Sequence, residues 1–191
     1  MGKKQYIQEL IAYGLGDPTH KDLKSLRSEI YNGSDRSCAI VFGSFVEISL
    51  IRFLKTKTRP STHEDIFDYR GPLGTFSSKI RMAYSLNFIG PKTHSDLDKI
   101  RHLRNTFAHS RLPLKFKTPV VKRVCDLLYY PDIEDVYVPF DFLDKVGRNR
   151  LKAATDKTNP RTRFIITCYE MSGRMLEARG EGLSTTGANF P

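Results

Sequence analysis

Residues 34–54 read SDRSCAIVFGSFVEISLIRFL, and this stretch decides the fold. Ser34 or Asp35 follows the Asn32-Gly33 turn and suits a helix N-cap, because either side chain can accept from the free N–H groups of a first turn. The helix expected from there runs over 35–55. Its interior is apolar nearly all round, which predicts a central rod with neighbours on several sides. Glu47 is the only charged residue between Arg36 and Arg52. A carboxylate in such a place needs a cation to hold it.

The flanking sequence also reads as helix. Start signals recur: Thr19 before 21–30, Thr75 before a helix reaching about 88, and Thr93 with Asp96 as an approximate capping box for a helix ending near His109. Thr118-Pro119 and Asn159-Pro160 place proline at the first helical position, where its missing N–H is not needed. Gly14 and Gly16 end a helix over 3–13, Gly90-Pro91 stops the 75–88 helix, and Pro113 forces a break. The segment 57–74, KTRPSTHEDIFDYRGPLG, is a connector. Residues 129–138 read as irregular, with 136–138 a candidate strand, and 141–154 as another helix. The expected architecture is all-α, with about seven or eight helices around the long helix at 35–55. One domain spans 1–180: a core over 34–110 and C-terminal helices over 111–180. Residues 181–191, EGLSTTGANFP, read as a flexible tail.

Composition narrows the function classes. A chain of 191 residues suits one domain, and 39% hydrophobic residues suffice for a core, which excludes wholesale disorder. The longest apolar stretch, 39–51, is short for a bilayer and carries Glu47. Residues 1–17 lack an export signal, so a cytoplasmic protein is expected, with Cys38, Cys125 and Cys168 as buried, reduced thiols. No membrane contact, metal or cofactor is expected.

The excess of 31 Lys+Arg over 21 Asp+Glu gives a net charge of +10, which favours acidic partners, RNA or DNA among them. Lys145, Arg148, Arg150 and Lys152, with Lys157, Arg161 and Arg163 nearby, form the best basic cluster. Such side chains neutralise phosphates without reading bases. Lys79 is a further candidate, because it follows the GPLG turn at a helix start, where free N–H groups suit an anion. The aromatics Tyr129, Tyr130, Tyr137, Phe140 and Phe142 read as core or dimer contacts. No helix-turn-helix reader can be placed.

Residues 95–110, SDLDKIRHLRNTFAHS, hold an oddity. At about 100° per residue, Leu97, Ile100, Leu103, Phe107 and Ala108 share an arc, and Arg104 falls near its centre. Taking a guanidinium out of water costs several kcal/mol unless it is paired. Glu47 is the expected partner, in bidentate geometry. The pair reads either as a structural ion pair fixing helix register, or as one wall of a cleft where Arg104 presents part of its fork to a phosphate. Asp98, His102, Asn105 and His109 share the opposite face. They read as a solvated stripe, short of a fourth ligand for a metal.

The hexapeptide 104–109 has the form Arg-polar-x-x-x-His and resembles the signature of the HEPN superfamily, whose active members are metal-independent ribonucleases. By this resemblance Arg104 would hold the scissile phosphate, His109 would act as general acid/base or activate the ribose 2′-hydroxyl, and Asn105 would orient the pair. On an ideal helix Arg104 and His109 leave about 140° apart. They converge only if the helix ends or kinks at Ala108, or if a second subunit completes the site.

A longer resemblance surrounds this motif. Residues 34–54, 71–90 (GPLGTFSSKIRMAYSLNFIG) and 97–110 are similar, in order and separation, to the mannitol operon repressor family. Glu47, the Gly71-Pro72-Leu73-Gly74 turn, Lys79, Arg104, Asn105 and His109 belong to the shared pattern. The resemblance implies an all-α transcriptional regulator without an ordinary DNA-reading motif, acting through protein partners or non-sequence-specific nucleic-acid contact. The alternative it leaves is a toxin-like metal-independent ribonuclease using Arg104 and His109, so whether the chain is an enzyme stays open. A homodimer is implied under either, because HEPN-like sites are often assembled across a two-fold axis.

Overall fold

The computed structural model describes residues 20–130 and 156–178, and among these the chain is all-α. The helices are α1 (His20–Asn32), α2 (Asp35–Lys57), α3 (His63–Phe67), α4 (Phe76–Ser85), α5 (Pro91–His109), α6 (Pro119–Asp126) and α7 (Pro160–Glu177), with a 3-10 turn at Pro60–Thr62. The helices expected over 3–13 and 141–154, the candidate strand at 136–138 and the tail at 181–191 lie outside the described residues.

The axis of the fold is α2. Ser34 caps it by accepting from the Ser37 N–H at 3.0 Å, and Lys55 and Lys57 sit in the last turn, where they meet the negative end of the helix dipole. By length and composition its 23 residues would suffice to cross a bilayer, more than the 39–51 stretch suggested. Here it is packed instead by α1, α4, α5 and α7, and Phe42, Val46, Leu50 and Leu54 are fully buried. An all-round apolar helix is buried on several faces at once for want of a polar side to expose. Aromatic rings extend the core: Phe42 meets Tyr169 edge-on at 4.7 Å, and Phe116 bridges Phe107 and Phe164 at 5.1 and 5.2 Å.

The helices beside α2 begin and end at places that differ in part from expectation. Thr75 caps α4 through a reciprocal exchange with Ser78. Gly74 is required just before it, since a Cβ there would lie 2.4 Å from the Tyr69 carbonyl oxygen. The end of α4 comes at Ser85 and not near 88, because Asn87 takes the left-handed conformation (φ 61°) that asparagine tolerates. Gly90-Pro91, expected as a stop, is a start: Gly90 is the N-cap of α5 and Pro91 its first residue. The capping box expected of Thr93 and Asp96 is absent because both residues are already inside the helix and buried. Asp96 accepts instead from Lys99 Nζ at 2.8 Å and from the Tyr129 N–H at 3.1 Å. The connector over 57–74 contains the 3-10 turn and α3.

All three cysteines are free and buried. Burial disfavours the thiolate, pushing Cys38 and Cys125 up to about 12 and Cys168 well above its ordinary value.

Candidate functional site

Three helices bring Glu47, Lys79 and Arg104 together. Gly43, one turn before Glu47 on α2, has no side chain, so α5 comes close: a Cβ at Gly43 would lie 2.6 Å from Arg104 Cβ and 2.7 Å from its Cγ. Arg104 therefore runs along the α2 backbone, and its Nη2 donates to Glu47 Oε2 at 2.7 Å. The other carboxylate oxygen, Oε1, accepts from Lys79 Nζ at 2.7 Å, and Lys79 also reaches the Gly74 carbonyl at 3.4 Å.

One carboxylate thus serves two cations, and the expected bidentate pairing with Arg104 is replaced. Lys79 takes the second oxygen: it lies in the first turn of α4, which Thr75 caps, and reaches Glu47 across the packing of α4 on α2. Exposure of the side chains rises from 4% for Lys79 through 19% for Glu47 to 24% for Arg104, so the cluster opens to solvent on the arginine side. Arg104 also stands over the Phe76 ring, 5.5 Å from its centre, in cation–π contact. Its Nε is buried without a hydrogen-bond partner among the described residues.

Asn105 is half-buried and His109 exposed. Helix α5 is regular through His109, and the Ser110 N–H still bonds to the Thr106 carbonyl at 2.9 Å, so no kink occurs at Ala108. Arg104 and His109 therefore leave the regular helix about 140° apart, on different faces of α5. On the outer stripe Asp98 accepts from Arg101 Nε at 3.0 Å, and Arg101 Nη2 lies 2.6 Å from His102 Nε2. Among the described residues no three His, Cys, Asp or Glu side chains are grouped to hold a metal.

Three basic residues expected at a nucleic-acid surface point elsewhere. Lys79 is turned inward onto Glu47, leaving no ammonium face for a phosphate. Arg161 donates from Nη1 to Asp35 Oδ1 at 2.6 Å and from Nη2 to the carbonyls of Ile30 and Gly33 at 2.8 and 2.9 Å. Arg163 gives Nε and Nη2 to the Leu128 carbonyl at 2.9 and 2.7 Å. A guanidinium has five donors in a fixed fork, so it suits orphan carbonyls at helix ends and is used there as a clamp. Lys145, Arg148, Arg150 and Lys152 lie outside the described residues.

A different basic surface was missed. Between the start of α2 and the segment after α5 lies an open cleft of about 1030 Å³, lined among others by Arg36, Arg111, Leu112 and Lys115. Its signal stood in the sequence: residues 111–123 hold five Lys or Arg and no Asp or Glu.

No protein-family model matches the chain, and no curated protein matches it in sequence. Among solved structures, the X-ray structure of the MtlR-HPr complex from Escherichia coli contains a similar chain. The two share 15% identity with a TM-score of 0.57, covering 80% of this chain and 97% of that one. The likeness shows an MtlR-like, all-α fold.

Proposed function

We propose that this chain is a mannitol-repressor-like regulator that works by binding a protein partner. The observation that carries the reading is the shared fold with a chain taken from a protein–protein complex, MtlR with HPr. Two features of the site support it. Arg104 and Lys79 both engage Glu47, so the cluster acts as a cross-link between α2, α4 and α5. His109 stands on a different face of α5 from Arg104, which suits a contact surface better than a paired acid/base and phosphate clamp. The basic excess favours an acidic partner, and contact with nucleic acid through the phosphate backbone is secondary.

The test has two arms. The tagged chain is purified from cells with cross-linking, and the partner it retains is rebuilt with it from purified components; a stoichiometric complex is expected. In parallel, wild type and His109→Ala are incubated with mixed RNA without metal. Cleavage by wild type, lost in His109→Ala, together with absence of a reconstituted complex, would replace the regulator by a ribonuclease whose site is completed across a homodimer. Light scattering on the same samples gives the oligomeric state that this alternative needs.

A further inference from the structure

We infer that the cleft between the start of α2 and residues 110–115 docks an acidic segment of the partner protein, one that carries an apolar side chain between its carboxylates. This rests on the protein-partner reading above and assigns it a surface.

Charge is the first ground. Arg36, Arg111 and Lys115 are exposed and line the cleft. The acid beside them, Asp35, is already occupied: Oδ1 accepts from Arg161 and Oδ2 from the Phe116 N–H at 2.8 Å. Among the described residues Arg111 and Lys115 have no carboxylate partner. Arg36 is held in place by Nη2, which donates to the carbonyls of Ser110 at 2.7 Å and Leu112 at 3.4 Å. Its other N–H groups remain for a ligand, and a guanidinium fixed in advance loses little freedom on pairing with a carboxylate.

The second ground selects the kind of acid. Leu112 is 69% exposed among these cations, and Pro113 beside it is exposed too. An apolar side chain that shares a cleft with the cations Arg36, Arg111 and Lys115 offers a partner both an apolar contact and a charged rim, as protein interfaces do. A phosphate backbone gains nothing from an exposed leucine. Among the described residues none of the side chains lining the cleft is aromatic, so these offer no platform on which a base could stack.

The test uses the full chain and fluorescence anisotropy with three labelled probes of similar charge: a peptide alternating Glu and Leu, a polyglutamate peptide of the same length, and oligouridylate. Wild type is expected to bind the Glu/Leu peptide about tenfold more tightly than oligouridylate. The double reversal Arg111→Glu with Lys115→Glu should weaken that binding about tenfold or more, and Arg81→Glu, at an exposed site on α4, should leave it unchanged. Leu112→Ser should weaken the Glu/Leu peptide and not polyglutamate. All changed residues are exposed, and unchanged thermal melts verify that the variants fold.

Preference for oligouridylate, lost on the double reversal, would overturn the proposal in favour of a nucleic-acid site. Absence of peptide binding, or binding that ignores the double reversal, would also overturn it. A rebuilt partner complex that survives the double reversal sinks the cleft alone and leaves the regulator standing. A wild-type chain that forms no partner complex sinks the regulator as well.

Discussion

Gly43 of α2 lies beneath the aliphatic root of Arg104 of α5, so close that a methyl group on Gly43 would sit 2.6 Å from Arg104 Cβ. In mid-helix, alanine for glycine ordinarily gains up to about 1 kcal/mol of helix propensity. Here the gain is overridden. The atoms it meets belong to the root of the side chain and cannot swing away, so the two helices must separate. Gly43→Ala is expected to lower stability by about 1–3 kcal/mol, as overpacking does. Urea unfolding followed by circular dichroism measures it, and a stabilised variant would contradict the close approach.

Glu47 is the shared anion of two inward cations. Removing its charge with Glu47→Gln leaves Lys79, which is 4% exposed at its side chain, without its carboxylate. Loss of one partner from a buried pair costs about 3–5 kcal/mol, and the partial exposure of Arg104 argues for the lower end, about 3 kcal/mol. Adding Lys79→Met to Glu47→Gln should recover part of this, because no unpaired ammonium then remains inside. The same unfolding experiment reads both variants, and a double variant worse than the single one by the full cost of Lys79→Met alone would show that the two side chains are uncoupled.

Arg161 clamps α7 to the α1–α2 junction through Asp35 and the carbonyls of Ile30 and Gly33. In Arg161→Met the aliphatic stem is kept and the three bonds are lost. A loss of about 2 kcal/mol is expected, typical of hydrogen bonds to a charged group. Amide exchange should accelerate first in α1 and around Gly33. Acceleration spread evenly over all helices would mean that the clamp is not local.

The buried thiols give a pH dependence. Cys38 and Cys125 titrate near 12 in the fold because burial penalises the thiolate, whereas an unfolded thiol titrates near 8.5. A group whose folded value is raised contributes its stability below the unfolded value and loses it as pH rises towards the folded value. The thiol contribution to stability should therefore be level up to about pH 8 and fall between about pH 9 and 12. A Cys38→Ala variant should lose part of that slope. In native buffer at pH 8 a thiol reagent should label none of the three cysteines quickly, and in denaturant all three. Rapid labelling of the native chain would contradict their burial.

Much of the fold was legible in the primary structure, since helix starts and apolar periodicity are local properties. Residues 34–54 carry their own cap and an apolar surface on every side, and that alone makes α2 the centre. The inward lean of Arg104 follows from its phase on the apolar arc of α5, and the need for a cation near Glu47 follows from its isolation among hydrophobic residues. Proline at positions 119 and 160 begins α6 and α7 for the same local reason, and position 91 misled only because proline after glycine reads equally well as a stop or a start.

Tertiary structure alone decided where the charges went. Lys79 looked like a free cation at a helix start, yet the approach of α4 to α2 turns it onto Glu47, 32 residues away in sequence. Arg161 and Arg163 looked like a phosphate-binding surface, yet orphan carbonyls at the ends of α1 and beyond α6 draw them in. A long side chain reaches whatever the packing of distant helices sets within a few ångströms, and local periodicity holds no record of those distances.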